Sequence, residues 1–376
     1  MPPYIMPVKH LHVIAFNVPY PADYGGVIDI YFKLRALKQL GVQIILHCYK
    51  YGRQSSKELE ELCSEVHYYN RDSGFLYALS KVPYIVATRN ANTMPKNILK
   101  DEYPVLFEGL HCTSQLKKYA GAGKRCLVRA HNIEHNYYRA LSKSENRLYD
   151  KLFLFTESIK LRSYEKILKE ADYILGISEP DTQYFDEKYG HSILVPAFHR
   201  FDEITIKPGL GEYILFHGNL GVAENSDVFL RIAGNVLSKI THRVIVAGKA
   251  PSKSFVRRLS AWPNIEVVAN PSDREMDQLI GDAQINLLYT AQSTGIKLKL
   301  LHALFGGRHC LVNTEMISHT GLEPLCRLAD EPKEMIAQIE ELINLPFTAS
   351  QIREREKALQ NYSNRAGAEK ILGLLH

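Results

Sequence analysis

The sequence predicts an α/β protein made of two Rossmann-like, doubly wound domains facing a central cleft. Three observations carry this reading. Short apolar runs alternate with amphipathic segments along the chain, the signature of βαβ units and a mostly parallel sheet. The alternation lapses between Ala197 and Gly211, where Pro208, Gly209 and Gly211 sit among charged residues, as in a linker. Each half also starts alike, with an apolar strand followed by a glycine loop. A length of 376 residues fits two domains. The expected division is 1–200 and 201–355.

In order, Leu11–Asn17 reads as the first strand and Val18–Gly26 as a Pro/Gly loop. Val27–Leu40 reads as a helix stopped by Gly41, a residue suited to a helix C-terminus. Val42–Cys48, Pro104–Glu108 and Arg125–Arg129 are apolar strands. Glu134–Asp172 is the longest helical stretch, with Leu141, Leu148, Leu152, Phe155 and Ile159 on one apolar stripe. Tyr173–Ile177, Glu179–Tyr189 and Ser192–Pro196 follow as strand, helix and strand. The second half runs through strands at Tyr213–His217, Arg243–Ala247, Ile265–Val268, Ala283–Leu288 and Cys310–Asn313. Its helices are Ala223–Leu237, Ser252–Ala261, Ser272–Asp282 and one from Thr294, and Ala349–Leu375 closes the chain.

Hydrophobic content of 45% and charged content of 23% are those of a soluble globular protein. A net charge of +5 favours anionic ligands or a membrane surface and falls short of a nucleic-acid footprint. No apolar run approaches the ~18 residues of a bilayer span. The first residues lack the regions of a signal peptide, so a cytoplasmic protein is expected, with the inner membrane face as a further place of contact. Six cysteines without a Cys-x-x-Cys pair point to reduced, buried thiols rather than disulfides or a metal site.

The segment Gln292–Asn313 carries the most chemical information. It reads as a glycine turn, a helix, a second glycine break and a strand. Unpaired amides at a helix start suit a phosphate. A helix beginning near Gly295 places Gly295, Lys299 and His302 on one face and turns Leu298, Leu301 and Phe305 toward a core. An ordinary helix with solvated lysines is the competing reading.

The run Thr294-Gly-Ile-Lys-Leu-Lys-Leu-Leu301, a small residue, Gly306-Gly307 and a strand resembles the donor region of retaining glycosyltransferases of family four, or group one. The resemblance covers most of the chain and implies the GT-B fold, with the last helix, about 356–376, packing back on the first domain. It implies an acceptor-side first domain, a second domain that binds a nucleotide sugar of UDP or GDP type, and no cofactor. Where the family has two glutamates eight positions apart, this chain has Thr294 and His302, while the lysine of the pattern is kept as Lys299.

On that pattern His131, in Val128-Arg-Ala-His-Asn-Ile-Glu134, is the expected catalytic residue, with His111 its competitor. In the resembled family a Gly-Gly loop at this place lies beside the donor phosphates and acceptor, which implies that position for Gly25 and Gly26. Phe216-His-Gly-Asn-Leu220 resembles the Phe-x-Gly-x-Leu loop that meets the diphosphate, giving Gly218 and Asn219. Lys249, Lys297 and Lys299 supply positive charge, Asn270 lies where backbone groups meet the nucleobase, and His302 stands at the ribose. Lysine can stabilise a leaving diphosphate without a metal. The Asp-x-Asp motif of metal-dependent glycosyltransferases is absent from the sequence.

The expected function is transfer of a sugar from a nucleotide diphosphate sugar to a saccharide or lipid-linked acceptor, in polysaccharide or glycoconjugate synthesis. The alternatives are a catalytically silent GT-B protein that binds a glycan or partner, and a nucleotide-sugar epimerase. The lysines and arginines between Tyr137 and Lys169 allow peripheral membrane contact. Because acids interleave with them, a solvated helix face is the favoured reading.

Overall fold

The computed structural model describes residues 9–145, 147–290 and 298–376. Two compact units divide the chain. One takes the residues up to Arg200 together with Asn361–His376, the other the described residues between Phe201 and Gln360. Each is built on one parallel sheet connected through helices.

The first sheet has seven strands: β1 (His10–Ala15), β2 (Gln43–Lys50), β3 (Glu65–Asn70), β4 (Val105–Glu108), β5 (Cys126–Ala130), β6 (Tyr173–Gly176) and β7 (Ser192–Leu194). Their order is β3-β2-β1-β4-β5-β6-β7. β4 and β5 are buried along their whole length, as the central strands of a sheet covered by helices must be. The second sheet comprises β8 (Ile214–Asn219), β9 (Val244–Lys249), β10 (Ile265–Ala269), β11 (Ile285–Leu288), β12 (His309–Val312) and β13 (Arg327–Leu328). Its order is β10-β9-β8-β11-β12-β13. In both sheets the winding reverses beside the first strand, between β1 and β4 and between β8 and β11. Ligands of open α/β sheets gather at the carboxyl ends of the strands at such reversals.

β3 and β13 escape the sequence pattern because they are edge strands. Glu-Val-His-Tyr-Tyr-Asn has no continuous apolar run, and β13 is two exposed residues long. The structure adds the helix Pro332–Leu342, where Glu331 and Glu334 form the capping box and Met335, Ile339 and Leu342 bury one face.

Two long helices are corrected. Glu134–Asp172 is broken into helices Glu134–Ser144 and Leu148–Tyr164 and a 3₁₀ turn Glu165–Glu170. Glu145 leaves the helix with extended backbone, and its carboxylate accepts the Arg147 amide at 2.9 Å. Ala349–Leu375 is split into helices Ala349–Leu359 and Asn364–Gly373 by Ser363, whose hydroxyl caps the second one. Gly367, Ala368 and Ile371 of that second helix pack into the first unit's core. A Cβ at Gly367 would lie 2.9 Å from the Phe198 ring.

The stretch after Val195 is no open linker at its start. Ala197, Phe198 and His199 are buried in the first unit, and His199 and Asn364 exchange two hydrogen bonds. All six cysteines are free thiols, five of them buried.

A chain of buried polar side chains crosses β1 to β3. Asp101 pairs with His12 Nε2 at 3.1 Å, His12 Nδ1 lies 2.9 Å from His47 Nε2, and His47 Nδ1 lies 3.0 Å from the Tyr69 hydroxyl. Burial holds His47 well below the usual histidine pKa, and His12 and His67 add to this. Burial also lowers His12, against the pull of Asp101. A proton on both rings would turn both facing nitrogens into donors. Because the unfolded chain takes up protons first, folded stability should hold above about pH 6.5 and fall as pH drops below it. Melting curves across that range should slope less in His47→Gln than in the parent. Equal slopes would rule the pair out.

Candidate functional site

At the reversal of the first sheet, the carboxyl ends of β4 and β5 bring Glu108, Arg129 and His131 beside Asp29 and Lys33 of the helix Gly25–Gln39. All five are buried. Asp29 and Lys33 are one helical turn apart, so both project from one face toward the strands. Lys33 Nζ lies 2.9 Å from Asp29 and 2.8 Å from the Glu108 carboxylate. The Arg129 guanidinium binds both Asp29 oxygens, at 2.8 and 3.2 Å, and the Phe198 amide adds a third contact at 2.9 Å. Burial would raise the Asp29 pKa, yet Arg129 and Lys33 hold it far below the carboxylate range.

His131 Nε2 lies 3.2 Å from Glu108 Oε2, while its Nδ1 is buried with no partner among the described residues. The Phe16 ring meets His131 edge-on at 5.6 Å and tilts on His111 at 5.2 Å. Gly109 between them has φ +77°. A Cβ there would lie 2.8 Å from His111 Nδ1, so glycine is required both by conformation and by space. Desolvation, then Arg89, hold His111 well below the usual histidine range, and burial pushes Glu134 up to about 8. The structure therefore groups both candidate histidines at one strand-end cluster. Glu134, buried as well, follows three residues after His131.

Asp29, Glu108 and His131 place ligand atoms within 4.8 Å of one another, a spacing that could hold a metal ion. Lys33 already lies against both carboxylates, and Arg129 neutralises Asp29, so an added cation would have to displace the ammonium. Gly26 owes its identity to packing, since a Cβ there would lie 2.7 Å from the Phe16 ring, whereas Gly25 opens onto free space.

In the second unit, Gly218 and Asn219 end β8 at the other reversal. Gly218 runs so close to β9 that a Cβ on Gly248 would meet its carbonyl. Asn219 and Lys249 are exposed at the tips of β8 and β9. Asn270, with φ +53°, ties its Oδ1 to the Ala250 amide at 2.7 Å. Thr294, Gly295 and Lys297 lie outside the described residues.

The helix that follows is Leu298–Gly306. Its core face is Leu300, Leu301, Leu304 and Phe305, and Leu298 is half-exposed, a shift of the apolar arc from the expected one. Lys299 and His302 do share the opposite, half-buried side. Lys299 Nζ donates to the Tyr289 carbonyl at 2.7 Å and lies 6.0 Å from the Phe216 ring centre. His302 Nε2 lies 2.7 Å from the Asp277 carboxylate and donates to it. His302 also meets Phe201 at 4.4 Å and His217 at 5.8 Å.

His217, Asp277 and the buried ion-pair group of the first unit were not singled out in the sequence. His217 sits in Phe216-His-Gly, where the ring is buried and Nε2 has no partner among the described residues. Burial, then His302 and Lys299, hold its pKa well below the usual value. A groove of about 700 Å³ also opens at the carboxyl ends of β11 and β12, with Arg231, Tyr289, Thr290, Asn313 and Asp330 along it. Asn313 and Thr290 bind each other twice, at 2.8 and 3.2 Å, and so fix the two strand ends together.

No family model matches the chain. It is similar to an uncharacterized 44.6 kDa protein in the cps region of Klebsiella pneumoniae, 27% identical over 323 residues, which cover 78% of this chain and 79% of that one. Solved structures share its architecture across nearly the whole chain. A HepE protein of Anabaena in complex with UDP and glucose superposes with a TM-score of 0.64 at 10% identity, covering 97% of this chain and 99% of that one. An α,α-trehalose-phosphate synthase (UDP-forming) from Burkholderia xenovorans gives 0.62 at 11% identity, covering 98% and 100%. A glycosyltransferase from Rickettsia africae gives 0.60 at 13%, covering 98% of each chain. The fold is GT-B, with two Rossmann-like domains, as the sequence predicts.

Proposed function

We propose that this chain is a glycosyltransferase that moves a sugar from a nucleotide diphosphate donor to a saccharide or lipid-linked acceptor. The observation that carries the reading is the GT-B fold over the full described chain. The cps-region relative suggests the setting, synthesis of a capsule-type surface polysaccharide. The second unit would hold the donor, with Gly218, Asn219, Lys249 and Lys299 at its diphosphate, Asn270 at the base and His302 at the ribose. Thr294, Gly295 and Lys297 belong to the same proposal. The first unit would supply His131 beside Gly25 and Gly26, and accept the sugar. Retention of configuration and a metal-independent step, with lysine stabilising the leaving diphosphate, complete the reading.

Calorimetric titration with UDP- and GDP-sugars tests donor binding, and release of the nucleotide in the presence of glycan acceptors tests transfer. Absence of binding by every nucleotide sugar would overturn the proposal, and binding without release would leave a silent sugar sensor. The product's anomeric configuration, read by NMR, tests retention.

Lys299 offers a sharper test. If it serves the diphosphate, Lys299→Ala should weaken binding of the nucleoside diphosphate by about 1.5–3 kcal/mol, the range of a charge-assisted hydrogen bond. Lys297→Ala should weaken it less. A greater loss at Lys297 would reassign the phosphate contact.

A further inference from the structure

The apolar stripe of the helix Leu148–Tyr164 faces outward. Leu148 is 81% exposed, Leu152 61%, Ile159 56%, and Phe155 and Tyr149 are exposed beside them. The buried side of the same helix carries Glu157, Ser158 and Leu161. The usual partition of an amphipathic surface helix is thus inverted. Glu157 explains how the inward side tolerates a carboxylate. It accepts the Tyr84 amide at 2.6 Å and pairs with Lys160 at 2.8 Å.

These contacts attach a second exposed apolar segment to the first. Lys160 Nζ also donates to the Ala78 carbonyl at 2.6 Å, and the Tyr84 and Phe153 rings meet at 5.9 Å. Beside them Phe75, Leu76, Leu79 and Val82 are exposed, Leu76 to 80%. Single exposed apolar residues need no explanation. Nine large ones concentrated in residues 75–82 and 148–159 form a patch, and such patches mark contact surfaces.

The charge around the patch selects its partner. Lys81, Lys143, Arg147, Lys151 and Arg162 are exposed within or beside these two segments. Of the acids in or beside these segments, Asp72, Glu145 and Asp150 reach the surface to different degrees against the five exposed cations, while Glu157 and Glu165 do not. Glu157 is turned inward as described, and Glu165 is buried against the Tyr184 and Tyr189 hydroxyls. Apolar side chains rimmed by cations fit an anionic lipid surface, where the hydrocarbon enters the acyl boundary and the cations meet the headgroups. No helix among the described residues is long and apolar enough to cross a membrane, so the patch would lie on the bilayer.

We propose that the first unit docks peripherally on an anionic membrane through residues 75–82 and 148–159. The sequence favours a solvated helix face, and the exposed apolar stripe is the reason to propose docking instead. Docking does not depend on the transferase reading, since its readout is lipid binding alone.

The test is sedimentation of the full chain with phosphatidylcholine vesicles, with and without phosphatidylglycerol. The parent protein should sediment with the anionic vesicles and much less with the neutral ones. The double variant Leu152→Glu, Phe155→Glu should lose at least tenfold in partitioning, and Arg147→Glu, Lys151→Glu should lose the preference for anionic lipid. Both pairs are exposed, and circular dichroism checks that folding is intact. Leu76→Glu, in the other segment, should weaken binding independently. No sedimentation with anionic vesicles would overturn the proposal. So would a dimer in analytical ultracentrifugation that Leu152→Glu, Phe155→Glu dissociates without any effect on lipid, since the patch would then join two copies.

Discussion

Replacing Asp29 with alanine should collapse the first unit. Asp29 is the common partner of Lys33 and Arg129, and none of the three side chains has access to solvent. Removing the carboxylate leaves two cations close together in a buried site, with only Glu108 to balance them. Breaking a buried ion pair from one side costs about 3–5 kcal/mol, because the remaining charge is neither solvated nor paired. The Phe198 amide loses its acceptor as well, and Arg129 keeps only the Gly176, Val195 and Pro196 carbonyls. A melting temperature lower by on the order of 10 °C follows for a unit of this size. Hydrogen exchange should show the loss in β4 and β5, whose ends the network ties together. Asp29→Asn keeps the shape and one acceptor, and should fall between the two proteins. A melting temperature within about 2 °C of the parent for Asp29→Ala would show that water or a moved carboxylate relieves the charge, and that the network is not what holds these strand ends.

That network shows why some of the site was legible in the sequence and some was not. Most strands and the glycine loops follow from alternation and punctuation, which are local, whereas the edge strands β3 and β13 and the strand order do not. Arg129 and Glu108 could be seen as charges closing apolar runs. Their partners could not, because Asp29 and Lys33 lie inside a helix whose pattern reads only as amphipathic, and the link to β5 spans 100 residues. The stripe from Leu148 to Ile159 was visible as a stripe, but periodicity gives a face and not its direction. The inward carboxylate Glu157, held by the Tyr84 amide and Lys160, decides the direction, and the Tyr84 contact is nonlocal. His302 shows the same limit within the second unit. Its place beside Lys299 follows from helical spacing, whereas the Asp277 contact at its Nε2 does not.

His131→Ala should lower transfer at least tenfold, and up to the 10²–10⁴-fold typical of a positioned acid–base group, while leaving folding intact. The structure separates these two effects. Glu108, the partner of His131 Nε2, keeps Lys33 when the imidazole is removed, so no buried charge is stranded. Nδ1 is buried and unpartnered among the described residues, an arrangement that costs about 1–3 kcal/mol when nothing meets it. A polar group arriving at that nitrogen would recover the cost, which is the physical reason to place a substrate hydroxyl there. His111 sits in the same cluster, also with an unpartnered Nδ1, and is the control. Its position against Phe16 and Gly109 makes it the packing neighbour of the site, so His111→Gln should lower stability more than turnover. The measurement is initial rate with a donor that calorimetry shows to bind, alongside the melting temperature of each variant. Full turnover in His131→Ala together with lost turnover in a folded His111→Gln would exchange the two roles. Full turnover in both would place the chemistry outside this strand-end cluster.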